Sequence, residues 1–147
     1  MKITIEDTIT EDIELIIRGN IQDPKLQKLI SIVNSISDIS TLILWDGSKE
    51  VVTRLEDVYY FTVENRHVYA LTTTGRLICK YSLNEILTIF SRCKIVQASK
   101  ATLVNVNHII SLEAEFSGNY ILTLDNGEKI LASRFYMKNL RKTIMEV

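Results

Sequence analysis

Proline occurs once in these 147 residues, glycine five times, cysteine and histidine twice each, and aromatics make up 7% of the chain. Each scarcity excludes something. One proline and five glycines leave no material for a proline-rich or glycine-rich linker, and no low-complexity tract or internal repeat is present. Cys79 and Cys93 stand fourteen positions apart, which matches no metal or redox spacing. They are expected as inert core or half-buried thiols. His67 and His108 are forty-one positions apart and lack both a cysteine pair and HExxH-type spacing. The chain has no G-x-S-x-G elbow, no GxxxxGK[ST] loop and no GxGxxG. No enzymatic activity, metal, cofactor or small-molecule substrate is therefore expected. The acidic cluster Glu11, Asp12 and Glu14 reads as solvated surface. No apolar run approaches the ~18 residues of a membrane helix. The start, Met1 to Glu6, lacks the basic-then-apolar order of a signal peptide, so a cytoplasmic protein is expected.

The most telling scarcity is local. From Ile86 to Leu112 there is no Asp or Glu, and Arg92, Lys94 and Lys100 are the only charges. From Lys129 to Met145 there is again no acid, while Lys129, Arg134, Lys138, Arg141 and Lys142 are all basic. The net charge of −1 hides this, because residues 1–39 carry four bases against seven acids and residues 40–147 carry thirteen against eleven. A local positive field in a near-neutral protein points to a polyanion, and nucleic acid is the commonest in a cytosol.

Hydrophobic content of 46% with 24% charged residues supports a real core. Alternation over Lys2–Glu6 and part of Asp12–Arg18 predicts two strands. Asp23-Pro24 predicts a helix start, with Leu26, Leu29, Ile30, Val33 and Ile36 forming one apolar stripe. That stripe either covers the sheet of its own subdomain or offers a dimer or partner face. From Thr41 onward short strands and tight turns take over. Thr41–Trp45 and Glu50–Arg54 flank Asp46-Gly47, and Val58–Val63 and Val68–Thr72 flank Glu64-Asn65-Arg66. Arg76–Lys80 follows. Ser82 to Glu85 has capping-box spacing for a helix with Leu83, Ile86, Leu87 and Phe90 inward. Strands are expected again at Lys94–Ala98, Ile109–Glu113, Tyr120–Asp125 and Glu128–Ala132, the last two enclosing a two-residue Asn126-Gly127 turn. Ser133 caps a final helix with Tyr136, Leu140 and Ile144 inward. The fold class is mainly β, α+β overall, with domains at 1–40 and 41–147. The first is a small β-β-α extension.

Basic residues fall at strand ends. Lys100 follows one predicted strand, Arg134 and Phe135 open the last helix beside its amide-rich N-terminus, and Arg66-His67 sits at a hairpin tip.

At this point a family resemblance emerges. Leu103 to Ile109, followed by Asn126-Gly127-Glu128 and Ala132-Ser133-Arg134, resembles the LytTR-type DNA-binding domain of bacterial transcription regulators. Leu55 to Phe61 looks like its entry strand and Tyr81 to Leu87 like its helix start, so the likeness covers about residues 50 to 147. It implies elongated antiparallel sheets with one or two short helices, whose loops enter successive major grooves of duplex DNA. Carried over, the contact positions are Arg66 or His67, Lys100, and Arg134 or Phe135. Lys80, Lys94, Ser133 and Lys138 are assigned phosphates, and Asn105 is read as structural, tying the turn after Lys100 to the backbone. Departures occur at Gln97, Ser99, Ala101 and Phe135, so no target sequence transfers; Phe135 either stacks on DNA or packs inward. Forty residues are too few for a receiver domain. The extension resembles that of free-standing regulators, implying a small membrane-protein antagonist. The expected function is a sequence-specific transcription regulator acting as a homodimer on repeated half-sites. The alternative is a protein-interaction module controlled by a membrane-protein partner, with DNA binding secondary.

Overall fold

The computed structural model describes residues 1–9, 13–37, 41–91 and 93–146, with the backbone alone at 31 and 34–37. Glu11, Asp12, Arg92, the Ile36 side chain and the expected domain boundary at residue 40 lie outside the described residues. The chain divides into two compact units, Met1–Ser37 and Asp38–Val147.

In the first unit the predicted strand pair does not form. No described residue before the helix is in a strand, and Ile3, Ile5, Ile13 and Leu15 are exposed. Alternation makes a strand only where a neighbour pairs with it and a layer covers its apolar side. Neither is found among the described residues of this unit, so its helix has no sheet to cover. The helix itself forms as expected. α1 spans Pro24–Ser37, and the Asp23 carboxylate accepts from the Lys25 N–H at 2.9 Å as its cap. Leu26, Leu29 and Val33 are only half-buried.

The second unit is antiparallel throughout. Its strands are β1 Thr41–Trp45, β2 Glu50–Arg54, β3 Val58–Glu64, β4 His67–Thr72, β5 Gly75–Cys79, β6 Ile95–Ser99, β7 Thr102–Asn105, β8 Ile109–Ala114, β9 Tyr120–Leu124 and β10 Lys129–Ala132. The helices are α2 Leu83–Ile89 and α3 Met137–Met145. One sheet has the order β2-β1-β5-β4-β3-β7-β6 and the other β10-β9-β8. The β1–β2 hairpin joins the first sheet through one register pair, Trp45 with Ile78.

Two cores result. Leu42, Leu44, Phe61, Ala70, Leu77, Ile95 and Leu103 pack with Ile86 of α2 and with Phe90 at its C-cap. Val96, Ala98 and Val104 pack with Leu122, Leu124 and Ala132 of the second sheet and Met137 and Leu140 of α3. Neighbouring residues of β6 and β7 thus enter opposite cores, and these strands are covered on both faces. The capping box of α2 is complete. The Glu85 N–H donates to Ser82 Oγ at 3.1 Å and the Ser82 N–H to Glu85 Oε1 at 3.4 Å. The Asn126-Gly127 turn differs from expectation in length. Gly127 N donates to the Leu124 carbonyl and Leu124 N to that of Glu128, so the loop has three residues, with Gly127 at φ +87°.

Candidate nucleic-acid interface

Three loops converge on one end of the β5-β4-β3-β7-β6 array. The first is the β3–β4 turn. Glu64 pairs with His67, leaving Asn65 and Arg66 as a two-residue loop with φ +51° and +67°. Positive φ at both positions is the hairpin geometry that fits strand twist, and it suits asparagine far better than arginine. Arg66 and His67 are exposed at this tip. Glu64, the acid beside them, is engaged by Arg76, whose guanidinium also stacks 3.7 Å over the Tyr69 ring.

The second loop is Lys100-Ala101, between β6 and β7. The Val63 N–H donates to the Ala101 carbonyl at 2.8 Å, and Thr62 pairs with Thr102. This fastens the Lys100 turn beside the β3–β4 tip, with Lys100 exposed. The third segment follows β10. The Ser133 N–H donates to the Ala98 carbonyl at 2.8 Å, which fixes the start of the next turn two residues from Lys100. Arg134 to Tyr136 then form a 3-10 turn capped by Ser133 Oγ, leading into α3. Arg134 is held from a second side, its N–H donating to Asn119 Oδ1 at 3.4 Å, while its guanidinium lies against Gly118 of the β8–β9 turn.

Lys80 comes to the same end, because Cys79 pairs with Val68 just inside the His67 tip; its ammonium lies 5.1 Å over the Trp45 ring. Lys138 is exposed on the first turn of α3. Lys94 is not with them. It precedes β6 at the opposite end of the array, about 20 Å from Lys100 at strand rise, and its ammonium donates to the Glu146 carbonyl at 2.7 Å. Phe135 does not pack inward. It is 83% exposed, in edge contact with Tyr136 at 5.0 Å. Sequence reading missed Gly118 and Asn119, the cradle of Arg134, and Phe116, fully exposed in the same loop. A Ser-Gly-Asn turn after a phenylalanine was the available signal. Arg141, singled out in the sequence only as one of the basic residues of its acid-free window, stacks its guanidinium 4.9 Å over Tyr120 beside that cradle. Among the described residues no cluster of His, Cys, Asp and Glu has the makings of a metal site. No described helix is long and apolar enough to cross a membrane.

The LytTr DNA-binding domain profile matches residues 48–145, two-thirds of the chain and all three loops. The chain belongs to the LytTR family. Among relatives, the sensory transduction protein LytR of Staphylococcus haemolyticus is 31% identical over 97 residues, which are 63% of this chain and 36% of that protein. This LytTR chain thus spans about a third of that relative's length. An uncharacterized HTH-type transcriptional regulator of Staphylococcus aureus is 26% identical over 129 residues, 85% of this chain and 87% of that one. The fold matches a solved LytTr DNA-binding domain from Bacillus cereus with a TM-score of 0.67 at 23% identity, covering 73% of this chain and 98% of the other. The expected mainly antiparallel β class therefore stands. Among the described residues of the LytTR chain no two α-helices follow one another, so no helix-turn-helix carries the loops.

The LytTR scaffold holds its loops from the other end. Buried Asn105 donates from Nδ2 to the carbonyls of Leu55 at 3.3 Å and Val58 at 3.1 Å, and its Oδ1 accepts from Asn107 N at 3.1 Å. It is structural, but it ties the end of β7 to the entry of β3, not the turn after Lys100. His108 bridges the two sheets, with Nδ1 at 2.9 Å from Asp125 Oδ2 and Nε2 at 2.6 Å from the Glu56 carbonyl. Burial pushes the thiols of Cys79 and Cys93 up, which disfavours thiolate.

Proposed function

We propose that this protein is a sequence-specific transcription regulator that reads duplex DNA with strand-end loops. The carrying observation is the pair of backbone bonds, Val63 to Ala101 and Ser133 to Ala98, that gather Arg66, His67, Lys100 and Arg134 along one edge. From β5 to β6 that edge is four strand spacings, about 19 Å, before side chains are added. Such a row grips phosphates flanking a groove while its longest members reach base edges. Lys100 and Arg134, fastened side by side, read base edges in a major groove; Ser133, Lys80 and Lys138 hold phosphates, and exposed Phe135 stacks on a sugar or thymine methyl. The protein acts in the cytoplasm, as a homodimer on repeated half-sites. Family membership supports DNA as the ligand, and the loop geometry supports groove reading.

The test is selection of bound duplex from a random pool, then titration at rising salt. Affinity is expected to fall log-linearly with salt, and Lys100→Ala and Arg134→Ala each to cost ~1–3 kcal/mol. Binding that ignores sequence would sink the reading.

A second reading belongs to the first unit. Ile3, Ile5, Ile9, Ile13, Leu15 and Ile16 are all exposed there. A concentration of exposed apolar residues marks an interaction surface, and we infer that this unit engages a protein antagonist, membrane-borne in the form the resemblance implies.

A further inference from the structure

Among the described residues β2 is the outer strand of its sheet, with a partner on one side only. The phase of its ladder follows from the Asp46 N–H, which donates to the Lys49 carbonyl at 3.2 Å. Hydrogen-bonded pairs alternate along an antiparallel hairpin, so Val51 and Thr53 bond to β1 while Glu50, Val52 and Arg54 turn their N–H and C=O groups outward. Natural edge strands are blunted by proline, bulges or repelling charge. Glu50-Val51-Val52-Thr53-Arg54 has no proline, and its pairing with β1 is continuous from Thr41↔Arg54 to Trp45↔Glu50. Its two charges are of opposite sign and equidistant from Val52.

We infer that β2 is a self-pairing edge whose occupant is the β2 strand of a second copy, antiparallel, with the two-fold axis at Val52. In this register Val52 faces Val52 of the second copy as a hydrogen-bonded pair. Glu50 and Arg54 each face their opposite charge, twice over by symmetry. Shifting the register by two residues removes both ion pairs. The outward side chains agree, since Val52 is 73% exposed and its cross-strand neighbour Ile43 51% exposed. Pairing would join these into a continuous apolar row of four residues. Arg54 lies 3.6 Å from Glu56, but both side chains are over 70% exposed and exchange partners at little cost. Edge β8 has no such complementarity, with Glu113 its only charge.

A five-residue edge pairing is small beside the roughly 1,200 Å² of a standard interface, so the association is weak and rapidly reversible. The inference rests on the pairing half of the proposed function and supplies its surface. It is tested without DNA, so that its failure leaves DNA reading untouched.

The experiment is sedimentation equilibrium of the full chain from micromolar to millimolar concentration, with circular dichroism confirming that each variant is folded. Wild type is expected to show a reversible monomer–dimer equilibrium. Val52→Lys sets two ammonium groups face to face and should abolish it. Glu50→Arg alone and Arg54→Glu alone should each weaken it by about tenfold, since each creates two like-charge cross-strand pairs. An equimolar mixture of these two variants should recover wild-type association, because their charges complement across the axis. A wild type that stays monomeric overturns the inference. So does a Val52→Lys chain that dimerises normally, or a mixture that associates no better than its components.

Discussion

Arg66 occupies a backbone position that disfavours it. At φ +67° in a two-residue turn, glycine would sit without strain, whereas a side chain costs about 1 kcal/mol. The turn tolerates this because the ladder on both sides fixes it, and strain held at an exposed cationic tip suggests a functional use. Arg66→Gly is therefore expected to raise the unfolding temperature while weakening specific DNA binding by ~1–3 kcal/mol. Thermal melts and DNA titrations of the same variant check the opposite signs; loss of stability with unchanged binding would contradict it. Tyr60 offers a pH-dependent counterpart. Burial first, then the Glu128 carboxylate beside its hydroxyl, pushes its pKa from 10.0 up to about 12. The folded state thus holds the phenol proton more tightly than the unfolded chain. This contribution is complete below pH 10 and is lost as pH rises through about 12. Urea unfolding of wild type should weaken more steeply across that window than that of Tyr60→Phe, and parallel slopes would remove Tyr60 from the account. Turn positions such as Asn65-Arg66 were legible because turn chemistry is local. The Tyr60–Glu128 contact was not, because it joins residues sixty-eight positions apart in sequence.

Strands with one wet face announce themselves by alternation, and β1 and β2 have the residue ranges that alternation and Asp46-Gly47 predict. β7 escaped because Leu103 and Val104 are both buried, each in a different core, so its pattern is a continuous run without a period. The first unit failed in the opposite way, with alternation present but no partner to make strands of it. The same limit applies to the interface. The end of each strand was readable, but not which ends meet, since that depends on the Val63–Ala101 and Ser133–Ala98 bonds and on the strand order. Lys94 shows the consequence: a cation in an acid-free window, carried by its strand to the wrong end. The β8–β9 hairpin is the element that sequence alone left without a role, and it positions Arg134 through Asn119 and Gly118. Asn119→Ala should weaken DNA binding by ~0.5–1.5 kcal/mol, the scale of one hydrogen bond. In an Arg134→Ala background it should cost less, because its bond to the Arg134 backbone N–H serves in part to present that side chain. A double-mutant cycle measures this, and full additivity would mean that Asn119 acts independently.

At the scale of the molecule, net charge of −1 and a DNA-reading edge are compatible because the chain separates its signs along its length. The basic loops lie in the unit from Asp38 to Val147, while residues 1–39 carry the acidic excess. Among the described residues, every buried residue of both cores lies between Leu42 and Leu140. Removing residues 1–40 is therefore expected to leave a folded domain, and its field becomes more positive by the loss of acids. Non-specific DNA affinity at low salt should rise modestly, while the preference for the selected site over random duplex should not change, since the acidic segment contributes charge but no base contact. The truncation also distinguishes the two surfaces proposed for association. If the β2 edge pairs with itself, self-association survives the deletion and is still abolished by Val52→Lys. If α1 is the dimer contact, association disappears with residues 1–40 and Val52→Lys has no effect in the full chain. Sedimentation of the four proteins, full-length and truncated with Val or Lys at position 52, separates these outcomes, because each surface predicts loss along a different axis of the square.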